Sequence, residues 1–179
     1  MSYHWLPNAI TLVRCLLVPA IIGSMIIYGG TLIPFVLFCA AAVSDFLDGW
    51  LARALKAQSE FGAVLDPIAD KLLVAGTLMT FCYLQEFVWW LVVPTALIVL
   101  RDLGITLLRI RAGYSLPVST LAKIKTALEM LAIGLFLLPF VPILSHVGLG
   151  VLWVAGLLSV WTGWCYLKTV NLEDKTAAL

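Results

Sequence analysis

Charge is what this chain has least of. Only 12% of its 179 residues are Asp, Glu, Lys or Arg, about half the share of an ordinary soluble domain. With 63% hydrophobic residues and a mean hydropathy of +1.07, that shortage excludes a water-soluble enzyme and a disordered chain. A net charge of +1 offers no basic face, which excludes nucleic acid as a partner. The four cysteines, Cys15, Cys39, Cys82 and Cys165, lie in apolar stretches without CxxC spacing. They suggest neither a zinc site nor a disulfide framework and are expected to be small buried hydrophobes. The two histidines, His4 and His146, are far in sequence from the acidic residues and receive no role. No basic segment precedes the first apolar run, which starts after Pro7 and contains Arg14. That run is expected to be a retained span, not a cleaved leader. There is no internal repeat and no low-complexity segment.

What the chain does have is long apolar runs. A membrane-crossing helix needs about 20 residues, and six runs satisfy this, at roughly 8–29, 32–55, 64–84, 88–111, 120–140 and 147–170. Gly29-Gly30, Gln85-Glu86, Gly113-Tyr114 with Pro117, and the Pro139 to Pro142 stretch separate them as turn signals. The tail after Asn171 is polar and is expected to fray. The fold class expected is all-α, a polytopic membrane protein built as a six-transmembrane-helix bundle, with residues 1–179 forming one domain. The connections after the second and fourth runs contain or adjoin Arg53, Lys56, Arg109, Arg111, Lys123 and Lys125, and the C-terminus holds Lys168 and Lys175, whereas the loops near residues 30, 86 and 144 have no Lys or Arg. The positive-inside rule then puts both termini and these two connections in the cytoplasm, with Trp89 and Trp90 at the outer interface.

The few charges are not scattered. Asp45 and Asp48 are i,i+3 in the second run, and Asp66 and Asp70 are i,i+4 in the third, so each pair shares a helix face. A short connection between the runs is expected to make these helices antiparallel neighbours and to bring four carboxylates together. Gly49, Ala52 and Gly62 sit one turn from the acids, where small residues let a helix or ligand approach the backbone. Each Asp inside a span costs about 2.5–3.5 kcal/mol. Structural pairing with Arg53 and Lys71 is the plain alternative, but two cations do not neutralise four acids. A hard-oxygen cluster without His or Cys instead suits divalent metal, Mg²⁺ or Mn²⁺. Asp48 lies about 16 residues, or roughly 24 Å, from the outer end of its helix. That depth puts the acids in the cytoplasmic third of the bilayer, where a lipid headgroup meets a soluble phosphate compound.

The pattern Asp45-x2-Asp48-Gly49-x2-Ala52-Arg53-x8-Gly62-x3-Asp66-x3-Asp70 resembles the full signature of the CDP-alcohol phosphotransferase family. The resemblance implies a six-helix membrane bundle that forms a homodimer and displaces CMP from a CDP-linked lipid with an alcohol. It implies that Asp45, Asp48, Asp66 and Asp70 hold two divalent cations and that Asp70 is also the general base. Gly49, Arg53 and Ser59 match positions contacting the CDP moiety, with Ala52 and Gly62 leaving room beside them. The P-N-A-I-T-L-V-R run resembles the family's nucleotide-touching segment, which makes Asn8 and Thr11 further candidates; read alone, they are helix-start residues.

A second cationic set, Arg101, Arg109, Lys123 and Lys125, occupies residues 101–126. Arg101 lies about seven to ten residues inside its span, where an arginine needs an anionic partner. Asp102 is adjacent but points about 100° away, so a phosphorylated acceptor is the expected partner. The segments R-D-L-G-I-T-L-L-R and A-K-I-K-T are similar to those of the bacterial branch that transfers the phosphatidyl group of CDP-diacylglycerol to sn-glycerol 3-phosphate, making phosphatidylglycerophosphate in the cytoplasmic membrane. Two positions depart from that branch, Asp102 for Glu and Ala122 for Gly. The alternatives are the same chemistry on phosphatidylglycerol, inositol phosphate, inositol or serine, and, in another class, a metal or proton transporter.

Overall fold

The computed structural model describes the backbone of residues 5–54, 60–112 and 120–177, and side chains at 12–44, 68–108 and 120–169. Six helices account for almost all of it: α1 (Trp5–Ile27), α2 (Leu32–Ala54), α3 (Glu60–Leu84), α4 (Trp89–Ala112), α5 (Thr120–Leu137) and α6 (Pro142–Ala177). No strand occurs among the described residues.

The helix boundaries have local causes. Gly30 adopts φ +83°, a conformation that favours glycine. One residue on, the Thr31 hydroxyl accepts from the Ile33 amide at 3.4 Å and caps α2. After α3 the chain turns through Glu86 at φ 52° and Phe87 at φ 56°. The Phe87 amide donates back to the Cys82 carbonyl at 2.7 Å, satisfying an orphan helix-end acceptor. Pro142 opens α6, a position where its missing N–H costs nothing. The Gly113–Pro117 turn signal lies outside the described residues.

Each helix packs on particular neighbours: α1 on α2 and α3; α5 on α6, α2 and α3; α4 on α6 and α3. Both α2 and α3 lie against α1 and α5; the segment that joins them, 55–59, and the side chains at 45–54 and 60–67, where direct packing of α2 on α3 was expected, lie outside the described residues. Ile21, Phe38, Leu73, Leu78, Ile98, Ile133 and Leu152 belong to one core drawn from all six helices. At the α4–α6 crossing, a side-chain carbon on Gly156 would lie 3.3 Å from Pro94 Cβ. Glycine permits that approach.

The exterior is apolar too. Leu16, Leu72, Leu100, Leu131 and Leu157 are all more than half exposed, an outside suited to lipid rather than water. Among the described residues, two stretches are individually long and apolar enough to cross a membrane, Trp89–Leu108 and Pro142–Thr169, and Leu12–Ile27 and Leu32–Ser44 are apolar stretches within α1 and α2. Two expectations are corrected. The polar tail expected to fray after Asn171 is assigned as helix, α6 continuing to Ala177. Of the four cysteines only Cys82 is buried, while Cys15 and Cys39 are partly buried and Cys165 is exposed. An apolar environment around these helices removes the need to bury a thiol inside the bundle.

Candidate active site

The expected metal-binding acids fall on two helices, Asp45 and Asp48 on α2 and Asp66 and Asp70 on α3. All four positions are helical, so the i,i+3 and i,i+4 spacings do place each pair on one face. The side chains of Asp45, Asp48, Gly49, Ala52, Arg53, Gly62 and Asp66 lie outside the described residues, as do those of Asn8, Thr11 and Arg109; Ser59 lies outside them entirely. Asp70 is described and is partly buried.

Beside Asp70 begins a polar cluster that joins four helices. Lys71 on α3 reaches α4, donating to the Thr106 hydroxyl and, at 3.4 Å, to the Asp102 carbonyl. Thr106 in turn donates to that carbonyl at 2.7 Å. The Asp102 carboxylate accepts at one oxygen, Oδ1, from Arg101 Nη1 at 2.9 Å and from Lys125 Nζ on α5 at 2.5 Å. Arg101 Nη2 donates to Thr162 on α6 at 3.1 Å. Lys125 also pairs with Glu129, one turn along α5, at 3.0 Å. Lys125 and Glu129 are both fully enclosed, with side-chain exposures of 2% each. Asp70 directly precedes Lys71 on α3, which puts the α3 acid beside this cluster.

One expectation is overturned here. Asp102 does not point away from Arg101 but binds its guanidinium. The angle between successive side chains is about 100° at the helix surface, yet the long flexible arginine stem curls round it. Arg101 and Lys125 therefore already have an anionic partner within the protein. Lys123, by contrast, is exposed.

Several participants carried little signal in the sequence. Glu129 is legible as the i+4 partner of Lys125 in an apolar helix. Thr106 and Thr162 look like ordinary helical threonines, and only the positions of α3 and α4 reveal what they hold. Arg14 carries the same signal as Arg101, an arginine within an apolar run, and the structure buries it completely in α1.

The chemistry available is therefore twofold: hard oxygen donors on α2 and α3, and a set of cations on α4 and α5 held by carboxylates. The profile of the CDP-alcohol phosphatidyltransferase family matches residues 4–161. The chain is 38% identical over 170 residues to the probable phosphatidylglycerophosphate synthase of Mycobacterium tuberculosis (strain ATCC 25618 / H37Rv), covering 90% of this chain and 79% of that one. It is 34% identical over 185 residues to CDP-diacylglycerol–glycerol-3-phosphate 3-phosphatidyltransferase 2 of Arabidopsis thaliana, covering 92% and 79%. The corresponding 3-phosphatidyltransferase of Shigella flexneri is 33% identical over 177 residues, covering 94% and 96%.

Proposed function

The chain belongs to the CDP-alcohol phosphatidyltransferase family, and from that premise we propose that it transfers the phosphatidyl group of CDP-diacylglycerol to sn-glycerol 3-phosphate, giving phosphatidylglycerophosphate and CMP. The observation carrying this acceptor is the likeness, over at least 90% of the chain, to relatives named for phosphatidylglycerophosphate synthesis or for transfer to glycerol 3-phosphate. The cations at the end of α4 and the start of α5 support it, because a phosphate monoester is an anion that they suit.

The family generally uses divalent metal. In our reading Asp45, Asp48, Asp66 and Asp70 hold two ions, Mg²⁺ or Mn²⁺; four helical positions offering only hard oxygen ligands fit such ions better than zinc. Ions bound there supply positive charge to the pyrophosphate oxygens and to the leaving CMP. The chain's own residues do the rest. Asp70 takes the proton from the acceptor hydroxyl. The hydroxyl oxygen then bonds to the lipid-bearing phosphorus as the bond from that phosphorus to the CMP oxygen breaks. Asn8, Thr11, Gly49, Ala52, Arg53, Ser59 and Gly62 line the CDP-lipid site, with Arg53 meeting phosphate and the glycines leaving space. Arg101, Arg109, Lys123 and Lys125 receive the acceptor phosphate.

All six helices cross the membrane in this reading, as one domain that pairs with a second copy. The distribution of Lys and Arg supports a cytoplasmic position for both termini and the reacting groups, in a bacterial cytoplasmic membrane. The experiment is an acceptor panel: purified protein, CDP-diacylglycerol and Mg²⁺ or Mn²⁺, with CMP release measured for each alcohol. Release with glycerol 3-phosphate well above that with inositol, inositol phosphate, serine or phosphatidylglycerol is expected. Preference for another alcohol overturns the acceptor. No CMP release with any alcohol, together with ion flux in liposomes, overturns the reaction and favours a transporter.

A further inference from the structure

We propose that one turn of α4, Asp102 to Thr106, is a spacer that fixes how far the acceptor's phosphate lies from the carboxylate that takes its hydroxyl proton. Asp102 and Thr106 are then positioning residues, acting through Arg101 and Lys125 on one side and through Lys71 on the other. The inference rests on the acceptor and base roles proposed above and deepens them.

The acceptor side of the turn is set by a single atom. Arg101 and Lys125 come from different helices and carry like charge, so without an anion between them they repel. Asp102 Oδ1 holds both, at 2.9 Å and 2.5 Å. Thr162 binds the other guanidinium terminus, and Gly163 admits the arginine stem; a side-chain carbon there would lie 3.1 Å from Arg101 Cγ. Arg101 is thereby oriented from two helices, and its buried Nε has no partner among the described residues. Where the phosphate settles is therefore decided largely by where Asp102 holds the two cations.

The base side is set by the same turn. The Asp102 carbonyl and the Thr106 hydroxyl both receive Lys71, the residue that follows Asp70. Because the end of a helix side chain lies about 5–6 Å from the helix axis, a 20° rotation of α3 moves a carboxylate by roughly 2 Å. Misplacement by about 1 Å costs on the order of 10²-fold in rate. Lys71 seated on α4 opposes that rotation. The two anchor points lie within one rigid helical turn, about 5.4 Å long, so the distance from phosphate to base does not depend on a loop. An acceptor is chosen by the separation of its phosphate from its hydroxyl as well as by its charge.

The test compares Asp102→Asn, Asp102→Glu, Thr106→Val and Thr106→Ser, measured by CMP release with glycerol 3-phosphate alongside the melting temperature of each purified variant. Asp102→Asn is expected to raise the acceptor KM by about tenfold or more, with the KM for CDP-diacylglycerol within about twofold of the parent. Thr106→Val, close to isosteric, is expected to lower kcat by about tenfold with both KM values near the parent's. Thr106→Ser restores the hydroxyl and the rate. Asp102→Glu keeps the charge but moves it by a methylene, and is expected to recover less than half the loss in acceptor KM. A Thr106→Val enzyme with parental kcat overturns the spacer, as do variants whose kcat and KM move together with melting temperature. A lowered acceptor KM in Asp102→Asn also overturns it, since the carboxylate would then merely compete with phosphate. The two proposals fail differently. A parent that uses only an unphosphorylated alcohol removes the proposed acceptor, and Thr106→Val is then read with that alcohol. A parent active on glycerol 3-phosphate with unsplit variants removes the spacer alone.

Discussion

At one end of the bundle Lys71, Arg101, Asp102, Lys125 and Glu129 interlock across α3, α4 and α5, with α6 joining through Thr162. At the other end are two half-open cavities of about 400 Å³ and 460 Å³, one between α3, α4, α5 and α6 and the other between α1, α2, α3 and α5, which share Phe81, Gln85 and Phe136 in their walls. There the contacts are rings: Phe81 against Phe136 at 5.2 Å, and Trp89 edge-on to Trp90 at 5.8 Å. Apolar packing is broadly tolerant, because many combinations of side chains fill a given space. A buried charge cluster is not, since each member is stable only with its partners in place. The charged end therefore fixes positions to within a hydrogen bond, while the aromatic end holds the helices together with room to spare. Substitutions at the first should appear in rate constants, and substitutions at the second chiefly in stability.

The largest expected contrast comes from Asp70→Asn. Turnover should fall by about 10²–10⁴-fold, the range for loss of a general base, while CDP-diacylglycerol binding, measured directly by titration, persists. Lost binding with unaltered chemistry per bound substrate would contradict the base role. Next is Glu129→Leu, which leaves buried Lys125 without one of its two carboxylates and should cost about 3 kcal/mol in thermal stability. The Lys125→Met/Glu129→Leu double variant should recover most of that stability, yet keep a raised acceptor KM. Recovery of both would make Lys125 purely structural. The smallest and most pointed comparison pairs two glycines on α6. At Gly148, near the aromatic end, an added Cβ meets Leu135 Cβ at 3.2 Å and the Ala132 carbonyl at 3.3 Å. Gly148→Ala should cost about 1–3 kcal/mol by overpacking and leave activity per folded molecule intact. Gly163→Ala presses only on the flexible Arg101 stem. It should change stability by less than about 1 kcal/mol and raise the acceptor KM by about two- to threefold. The reverse pattern would erase the distinction between the two ends.

Much of the molecule is legible along the chain. Six helices appear where six apolar runs end in Gly, Pro or polar turns. The continuation of α6 to Ala177 was hidden because that segment is polar, and the α3 start at Glu60 because a charge and a glycine interrupt the apolar run there; hydropathy detects lipid contact rather than helix. The four aspartates stand out since carboxylates within apolar runs need a reason. Glu129 stands out less, because only the structure encloses it with Lys125. Thr106 and Thr162 do not stand out at all: a hydroxyl within a helix acquires meaning from whatever the neighbouring helix brings to it.

Family, helix number and the spacing of the acids were determined by the sequence, since each is written in residues close together along the chain: a signature within 26 positions, apolar runs between turn residues, and acids at helical intervals. Which helices touch, and that Asp102 serves Arg101, Lys125 and Lys71 at once, was decided by the tertiary structure. Lys71 and Lys125 lie 31 and 23 residues from Asp102, on two other helices, and no local periodicity encodes their meeting. A long cation reaches whichever carboxylate packing brings within about 3 Å, and only the fold sets that distance.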